Sequence, residues 1–229
     1  MKIPRAPHSW HLTPRSAVAA QRRLAGEVTV APSQASLQFI AGLDAAFSKD
    51  GTNCIAGVVL WDALKHCVIE QHMAVRPVRF PYIPGLLSFR EAPALLAALR
   101  KLRQIPDLLL CDGQGRAHPR RFGIACHLGV LCDLPAIGCA KSRLIGSHAE
   151  VAAAQGSHVP LLDEDETIGE VIRTKEGCHP VFVSVGNRLS LAQARKLVVA
   201  TVTRYRLPEP TRLADRLVAQ ARRPIREKG

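Results

Sequence analysis

Residues 37–75 read LQFIAGLDAAFSKDGTNCIAGVVLWDALKHCVIEQHMAV, and this stretch decides the fold class. It holds three apolar, β-branched runs, Leu37 to Phe47, Cys54 to Trp61 and His66 to Val75, separated by short polar or glycine turns. Links this short join antiparallel neighbours. Downstream the pattern changes. Leu95, Leu96, Leu99 and Leu102 are spaced for one buried helical face, and Asp107 to Asp112 is a short buried strand. Pro119 to Cys132 reads as a helix with Pro119 in its first turn, and Leu134 to Ala140 as another strand. The polar stretch 146–176 contains the acidic run Asp163-Glu164-Asp165-Glu166 and is expected as a loop or hairpin insertion. Pro180 to Val185 is a strand, Ser190 to Tyr205 a helix, and Pro208 to Thr211 a break before a final helix from Arg212. A further helix, 16–30, precedes the first strand. Antiparallel strands followed by alternating helix and strand define an α/β fold, one mixed sheet flanked by helices. In such sheets functional carboxylates gather where strand ends face a crevice.

The chain has 229 residues, enough for one domain, and 47% of them are hydrophobic, so burial is not limiting. Residues 1–15 are expected as a flexible tail, 16–221 as the folded domain and 222–229 as a basic tail. A net charge of +12 suits a polyanionic partner, through counterion release from phosphates. No apolar run is long enough to cross a membrane, and Met1 to Leu12 lacks the apolar stretch of a signal peptide. The seven cysteines are odd in number, scattered, and form no C-x-x-C; this argues for a reducing cytoplasm and against a disulfide framework or a zinc site. A monomer is the working expectation.

Asp44 lies inside the first apolar run, where an acid is costly unless it is paired or binds a cation. A strand-end Asp satisfied by backbone or arginine is an equal alternative. Glu91 closes Ser88-Phe89-Arg90-Glu91, which matches a capping box. Pro93 argues against that box, since its ring and missing N–H would fall beyond the first turn. With Pro93 at the helix start, Glu91 stands just outside, free to reach a metal. Asp112 ends the strand Leu108-Leu109-Leu110-Cys111 and precedes Gly113 and Gly115, which let a ligand approach the main chain. A plain Asp-Gly turn is the bland alternative. Asp215 follows Thr211 by four residues, one too many for a capping box, and its simplest partner is Arg212. Hard oxygen ligands from separate elements suit Mg²⁺ or Mn²⁺, ions that activate water and stabilise phosphoryl transfer.

Lys141 directly follows an apolar strand, placed to meet a phosphate or simply solvent. Arg120 and Arg121, at the expected helix start, suit phosphate by charge and by helix dipole. His118 beside them is read as an acid/base, a nucleic-acid contact or a cap. The acidic run 163–166 reads as a solvated face. In Pro81-Tyr82-Ile83-Pro84 both prolines fix φ. A rigid, exposed Tyr-Ile pair can wedge between bases and fill a vacated stack; a turn buried in the core is the alternative.

These stretches resemble the endonuclease V family. The resemblance is carried by Pro81-Tyr82-Ile83-Pro84-Gly85 with Ser88-Phe89-Arg90-Glu91, then Asp112-Gly113-x-Gly115-x-x-His118-Pro119-Arg120-Arg121, Asp133-x-Pro135-x-Ile137-Gly138-x-Ala140-Lys141, Arg173-Thr174-Lys175 and Tyr205-Arg206-Leu207-Pro208-Glu209-Pro210-Thr211-Arg212-x-Ala214-Asp215. It extends from about residue 16 to residue 216, in the family's order. It implies a ribonuclease H-like fold and a Mg²⁺-dependent nuclease, with Mn²⁺ able to substitute. It implies cleavage of the second phosphodiester bond 3′ to deoxyinosine, leaving 3′-hydroxyl and 5′-phosphate ends, in double- or single-stranded DNA. By the same resemblance Asp44, Glu91, Asp112, Lys141 and Asp215 are catalytic, and Asp44, Asp112 and Glu91 hold the metal. The segment from Pro81 to Pro84 is the strand-separating wedge. Gly85, Leu87, Gly113, Gly115, His118 and Ile124 form the base pocket. Inosine-containing RNA is an alternative substrate, as is a branched or otherwise structured nucleic acid. A non-catalytic binder of damaged strands is a further alternative, which the acidic set opposes. Asn187 departs from the pattern where family members often carry histidine, and Arg216 where some of them do.

Overall fold

The computed structural model describes residues 1–34 and 36–222. Five helices, α1 (Pro14–Ala25), α2 (Ser88–Leu99), α3 (Ile124–Cys132), α4 (Leu191–Ala200) and α5 (Glu209–Ala221), pack on one sheet. The strands are β1 (Phe39–Phe47), β2 (Asn53–Asp62), β3 (Cys67–Pro77), β4 (Leu108–Cys111), β5 (Ala136–Ala140), β6 (His158–Asp163), β7 (Glu166–Ile172) and β8 (Val181–Asn187). Their order across the sheet is β3-β2-β1-β4-β5-β8-β7-β6. The first three strands are antiparallel neighbours, as the short turns require. β1, β4 and β5 are parallel at the centre, and the other pairs are antiparallel. The expected insertion is thus the hairpin β6–β7, which extends the same sheet. Its turn carries the acidic run.

Side chains alternate along the strands, so each face has its own core. Ala41, Leu43, Cys54, Ala56, Val58 and Leu60 pack against α2 and α3. Ile40, Leu108, Leu110, Ile137 and Val183 pack against α4 on the other face. β4 and β5 are buried along their whole length, the pattern of parallel strands covered on both sides.

Several boundaries differ from the sequence reading. α2 begins at Ser88, with Pro93 inside it and Glu91 in its first turn. The buried stripe Phe89, Ala92, Leu95, Leu96 and Leu99 outweighs the one backbone bond that Pro93 cannot donate. The Ser88 hydroxyl caps nothing; it hydrogen-bonds His127 Nδ1 at 3.1 Å. α3 begins at Ile124, not Pro119, because Arg121 adopts a left-handed φ of 54° that a helix excludes. α5 begins at Glu209 with Pro210 in its first turn, where a proline is tolerated. Residues 1–13, expected as part of a flexible tail, lie against the domain. Met1, Ile3, Ala6 and Trp10 pack on the α2–α3 core, and the Met1 amino group donates to the Leu102 and Arg100 carbonyls. Of the basic tail expected at 222–229, residues 223–229 lie outside the described residues. Among the described residues no helix is long and apolar enough to cross a membrane.

Candidate active site

β1 and β4 run parallel in the register Leu43↔Cys111, which sets Asp44 beside Asp112. Asp44 shares the face of Ile40 and Gly42, and Asp112 that of Leu108 and Leu110. Both therefore emerge on the α4–α5 side of the sheet. α5 crosses that face at close range. A Cβ on Gly42 would lie 2.1 Å from the Pro210 carbonyl carbon, and one on Gly57 would lie 2.8 Å from Val218 Cγ2. Bare backbone at these two positions lets the helix settle low enough for Asp215 to reach the strand ends. One carboxylate oxygen from each of Asp44, Asp112 and Asp215 lies within 4.8 Å of the others. Lys141 follows β5, with Nζ 2.6 Å from Asp112 Oδ2 and 3.8 Å from Asp215 Oδ1. Arg212, the simplest partner for Asp215 by spacing, instead pairs with Glu209.

Burial, reinforced by the charges of Asp112 and Asp215, pushes the Asp44 carboxyl up to about 7. Glu91 approaches from α2 on the other face; burial and then the charges of Asp44 and Asp112 push it up to about 8. Lys141 is held above its ordinary value: burial opposes this, but the hydrogen bond and charge of Asp112 win. Carboxylates crowded until two of them resist ionisation, with only one lysine among them, fit a divalent cation. Asp44, Asp112 and Asp215 converge closely enough to hold it together; Glu91, expected as a ligand beside Asp44 and Asp112, stands outside that trio on the same cavity wall, near enough for their charges to raise it and for it to join as a further ligand.

A cavity of about 440 Å³ opens beside this cluster. Asp44, Asp112, Glu91 and Lys141 line one part of it, and Tyr82, Ile83, Gly85, Leu87, Gly113, His118 and Ile124 another. Gly115, expected with them, is not on its wall. It packs against β8, donating its N–H to Ser184 Oγ at 2.9 Å. The expected Tyr-Ile wedge is divided. Tyr82 is 68% exposed, whereas Ile83 packs against the cluster of Phe80, Leu86 and Phe89.

The turn after Tyr82 and Ile83 is held by its Gly85 carbonyl, which accepts from three side chains: Arg120 Nη2 at 2.6 Å, His118 Nε2 at 2.9 Å and Gln21 Nε2 at 3.0 Å. Arg120 also donates to Gln21 Oε1 at 2.5 Å, closing the clasp. Burial, then the Arg120 charge, push His118 down to about 4. It is therefore neutral, with Nε2–H donating to Gly85 and Nδ1 accepting from the Arg120 N–H at 3.1 Å. The helix-dipole argument for Arg120 and Arg121 fails, because neither stands at a helix start. Arg121 pairs with Asp163 at 2.8 Å and Glu166 at 2.7 Å, and Arg116 pairs with Glu166 at 2.5 Å. Two acids of the run read as solvated thus tie the β6–β7 hairpin to the loop after Asp112.

Gln21 was missed by sequence reasoning. Its signal was there: a polar residue four after Ala17 and three before Leu24, on the buried stripe of α1. Gln114 and Arg90 were missed too, and each carries a buried polar atom without a partner among the described residues. Asn187 is a brace away from the cluster; its Nδ2 donates to the Gly129 and Leu134 carbonyls and its Oδ1 accepts from the Thr29 N–H. Arg216 is exposed beside Asp215.

Aspartates from within β1, from the end of its parallel neighbour β4 and from a crossing helix, with a lysine between them, on a mixed sheet of ribonuclease H-like type, define a metal-dependent nuclease. The sequence model of endonuclease V matches residues 22–216, and the chain belongs to that family. It is 48% identical over 221 residues to endonuclease V of Roseiflexus castenholzii, covering 96% of this chain and 99% of that protein. The crystal structure of endonuclease V from Streptomyces avermitilis superposes with a TM-score of 0.89 at 43% identity, covering 94% of this chain and 95% of that one. A variant endonuclease V from Ciona intestinalis, in complex with a 23mer DNA containing an inosine followed by a ribo-adenosine, superposes with a TM-score of 0.81 at 25% identity. That match covers 92% of this chain and 98% of the other.

Proposed function

We propose that the chain is a repair endonuclease that takes hypoxanthine from a deoxyinosine strand and hydrolyses the second phosphodiester bond on its 3′ side. The products would carry 3′-hydroxyl and 5′-phosphate ends. One observation carries the reading: a single cavity has the carboxylate–lysine cluster on one part of its wall and an exposed tyrosine with a glycine-rich turn on another. The inosine-containing DNA bound by the Ciona relative supports it.

The cavity suits a neutral base. Gly85, Leu87, Gly113 and Ile124 offer main chain and apolar surface, and His118 is uncharged. Main-chain groups there can read the hypoxanthine oxygen and ring N–H, together with the absence of guanine's exocyclic amine. Tyr82 would fill the stack that the base leaves. Mg²⁺, with Mn²⁺ as a substitute, would polarise the phosphate and activate water at Asp44, Asp112 and Asp215. Lys141, already hydrogen-bonded to Asp112, would orient the phosphate or the attacking water. A binder without catalysis fits poorly, since clustered carboxylates repel phosphate unless a cation intervenes.

Matched inosine-DNA, inosine-RNA and undamaged strands, each with and without Mg²⁺, test the reading. Inosine-dependent, metal-dependent cleavage of DNA is expected; cleavage indifferent to inosine would sink it. The ribo-adenosine beside inosine in the Ciona complex favours one second reading, an inosine-RNA nuclease. The RNA arm decides that.

A further inference from the structure

The sequence contains two tyrosines. Tyr82 belongs to the cavity already described. Tyr205 does not, yet it too is exposed, at 48%. It sits on a turn between α4 and α5 that is held from both sides. Lys175 Nζ donates to the Arg204 carbonyl at 2.5 Å, and Thr174 Oγ1 donates to the Arg206 carbonyl at 2.6 Å. The Arg212 guanidinium lies 4.5 Å from the centre of the Tyr205 ring and is itself fixed by two hydrogen bonds to Glu209. Arg204 approaches the ring at 5.9 Å. The ring is thus an aromatic surface ordered in advance, with roughly half the residue open to solvent.

Its surroundings are cationic. Lys175, Arg204, Arg206, Leu207 and Arg212 form a shallow hollow with Tyr205. Glu209 neutralises Arg212; Lys175, Arg204 and Arg206 have no acidic ion-pair partner among the described residues. The location ties the hollow to the acidic cluster. Arg206 donates to the carbonyls of His179 and Pro180, the residues leading into β8. β8 enters the sheet beside β5 through the pair Ala140↔Phe182, one residue before Lys141. Arg212 is one helical turn from Asp215. The hollow therefore borders the cluster on its β8–α5 side, while the base cavity borders it on the α2 side.

We propose that Tyr205 is a stacking platform for an unpaired nucleobase of the cleaved strand, beyond the scissile phosphate from the base cavity, with Arg204, Lys175 and Arg206 facing the backbone phosphates. This rests on the reading above and adds to it a second contact on the 3′ side. An open aromatic ring beside cationic side chains is the chemistry that holds single-stranded nucleic acid without sequence preference. A ring fixed before binding loses little freedom when a base stacks on it.

The test uses the full chain with Ca²⁺ in place of Mg²⁺, so that strands stay uncut. Two single-stranded inosine oligonucleotides are compared, one ending just past the scissile bond and one extended by about six nucleotides on the 3′ side. The wild-type chain is expected to bind the extended strand more tightly, and Tyr205→Ala to lose about tenfold of that gain. Tyr205→Trp is expected to restore the gain, with quenching of the introduced indole by the extended strand. An undiminished gain in a folded Tyr205→Ala overturns the platform, and so does an indole that the extended strand leaves unquenched. If Tyr205→Ala does not fold, the quenching alone decides. The same strands without inosine separate the two claims. Wild-type cleavage in Mg²⁺ that ignores inosine refutes the substrate reading, whereas the extension gain and the quenching are read on either strand.

Discussion

Asp44 is the residue at which folding and chemistry conflict most openly. Partial burial strips an ionised carboxyl of much of its water, and Asp112 and Asp215 add like charges, which is why its proton is held up to about 7. Nothing in the sheet needs an acid there, and an amide of the same shape would end the repulsion. Asp44→Asn is therefore expected to abolish metal-dependent cleavage while leaving the melting temperature of the metal-free protein unchanged or higher. Cleavage of an inosine strand and a thermal melt, run on one preparation, check both halves; a folded variant with near-normal cleavage would displace Asp44 from the metal set. Lys141 has the opposite character. Removing it leaves Asp112 and Asp215 without their cation, so Lys141→Ala should lower cleavage by about 10²- to 10³-fold, the scale for loss of one positioned donor. A fall of less than twofold at saturating metal would make it a surface lysine. Asp44 and Asp112 were legible as residues because each is an acid at an apolar strand. Their meeting with Asp215 was not, because it depends on Gly42 and Gly57 receiving α5, a contact between elements far apart in the chain.

At the scale of elements, the informative structure is the turn between β3 and α2. The two prolines limit it, but the Gly85 carbonyl anchors it, through a helix (Gln21) and a loop (His118 and Arg120) distant in sequence. Tyr82 projects from a mount whose geometry is fixed before any strand arrives. Opening a duplex costs a few kcal/mol of unstacking, and a base–aromatic contact returns roughly 1–3 kcal/mol of it. Tyr82→Ala should accordingly impair cleavage of inosine in duplex DNA more than in a single strand of the same sequence; equal slowing in a folded variant would make Tyr82 a wall residue. Arg120→Ala, which removes the shortest of the three bonds to Gly85, should reproduce that duplex-selective loss in weaker form. Were Arg120 a phosphate contact instead, its loss would weaken both substrates alike and reduce the salt dependence of binding. The sequence showed the stiffness of the 81–84 turn through its prolines and the antiparallel pairing of the first three strands through their short links. It misplaced the starts of α2 and α3 for one reason: local rules about proline and charge were applied where buried contacts and a left-handed Arg121 decide the matter.

Across the whole molecule, two sets of buried titratable groups act on stability with opposite sign. His127 is fully buried, ringed by Phe89, Phe122 and Trp10, and reached by His8 Nε2 at 2.8 Å. Burial, then the His8 charge, hold His127 down to about 3, and His8 is lowered too, chiefly by burial. Between about 3 and the ordinary 6.5 the unfolded chain binds more protons than the folded one, so this cluster's contribution is complete above 6.5 and is lost as the pH falls. Asp44 and Glu91 behave in reverse. Their folded values, about 7 and about 8, lie above the ordinary 3.8 and 4.5, so without a cation they favour the folded state in acid and lose that contribution as the pH rises. The metal-free protein should therefore be most stable at an intermediate pH. A cation that binds the ionised carboxylates should raise stability most on the alkaline side, because only there are they free of protons. Urea denaturation at several pH values, with EDTA and with excess Mg²⁺, separates the two sets. His127→Gln should flatten the acid limb by up to about 1.4 kcal/mol per pH unit, the weight of one proton, and leave the Mg²⁺ effect at pH 8 intact. Asp44→Asn should weaken the Mg²⁺ effect and steepen the acid limb, because between 3.8 and about 7 the proton held by folded Asp44 offsets the one that folded His127 refuses. An acid limb unchanged in His127→Gln would mean that the packed N-terminal segment, which supplies His8 and Trp10, is not held by a neutral histidine pair.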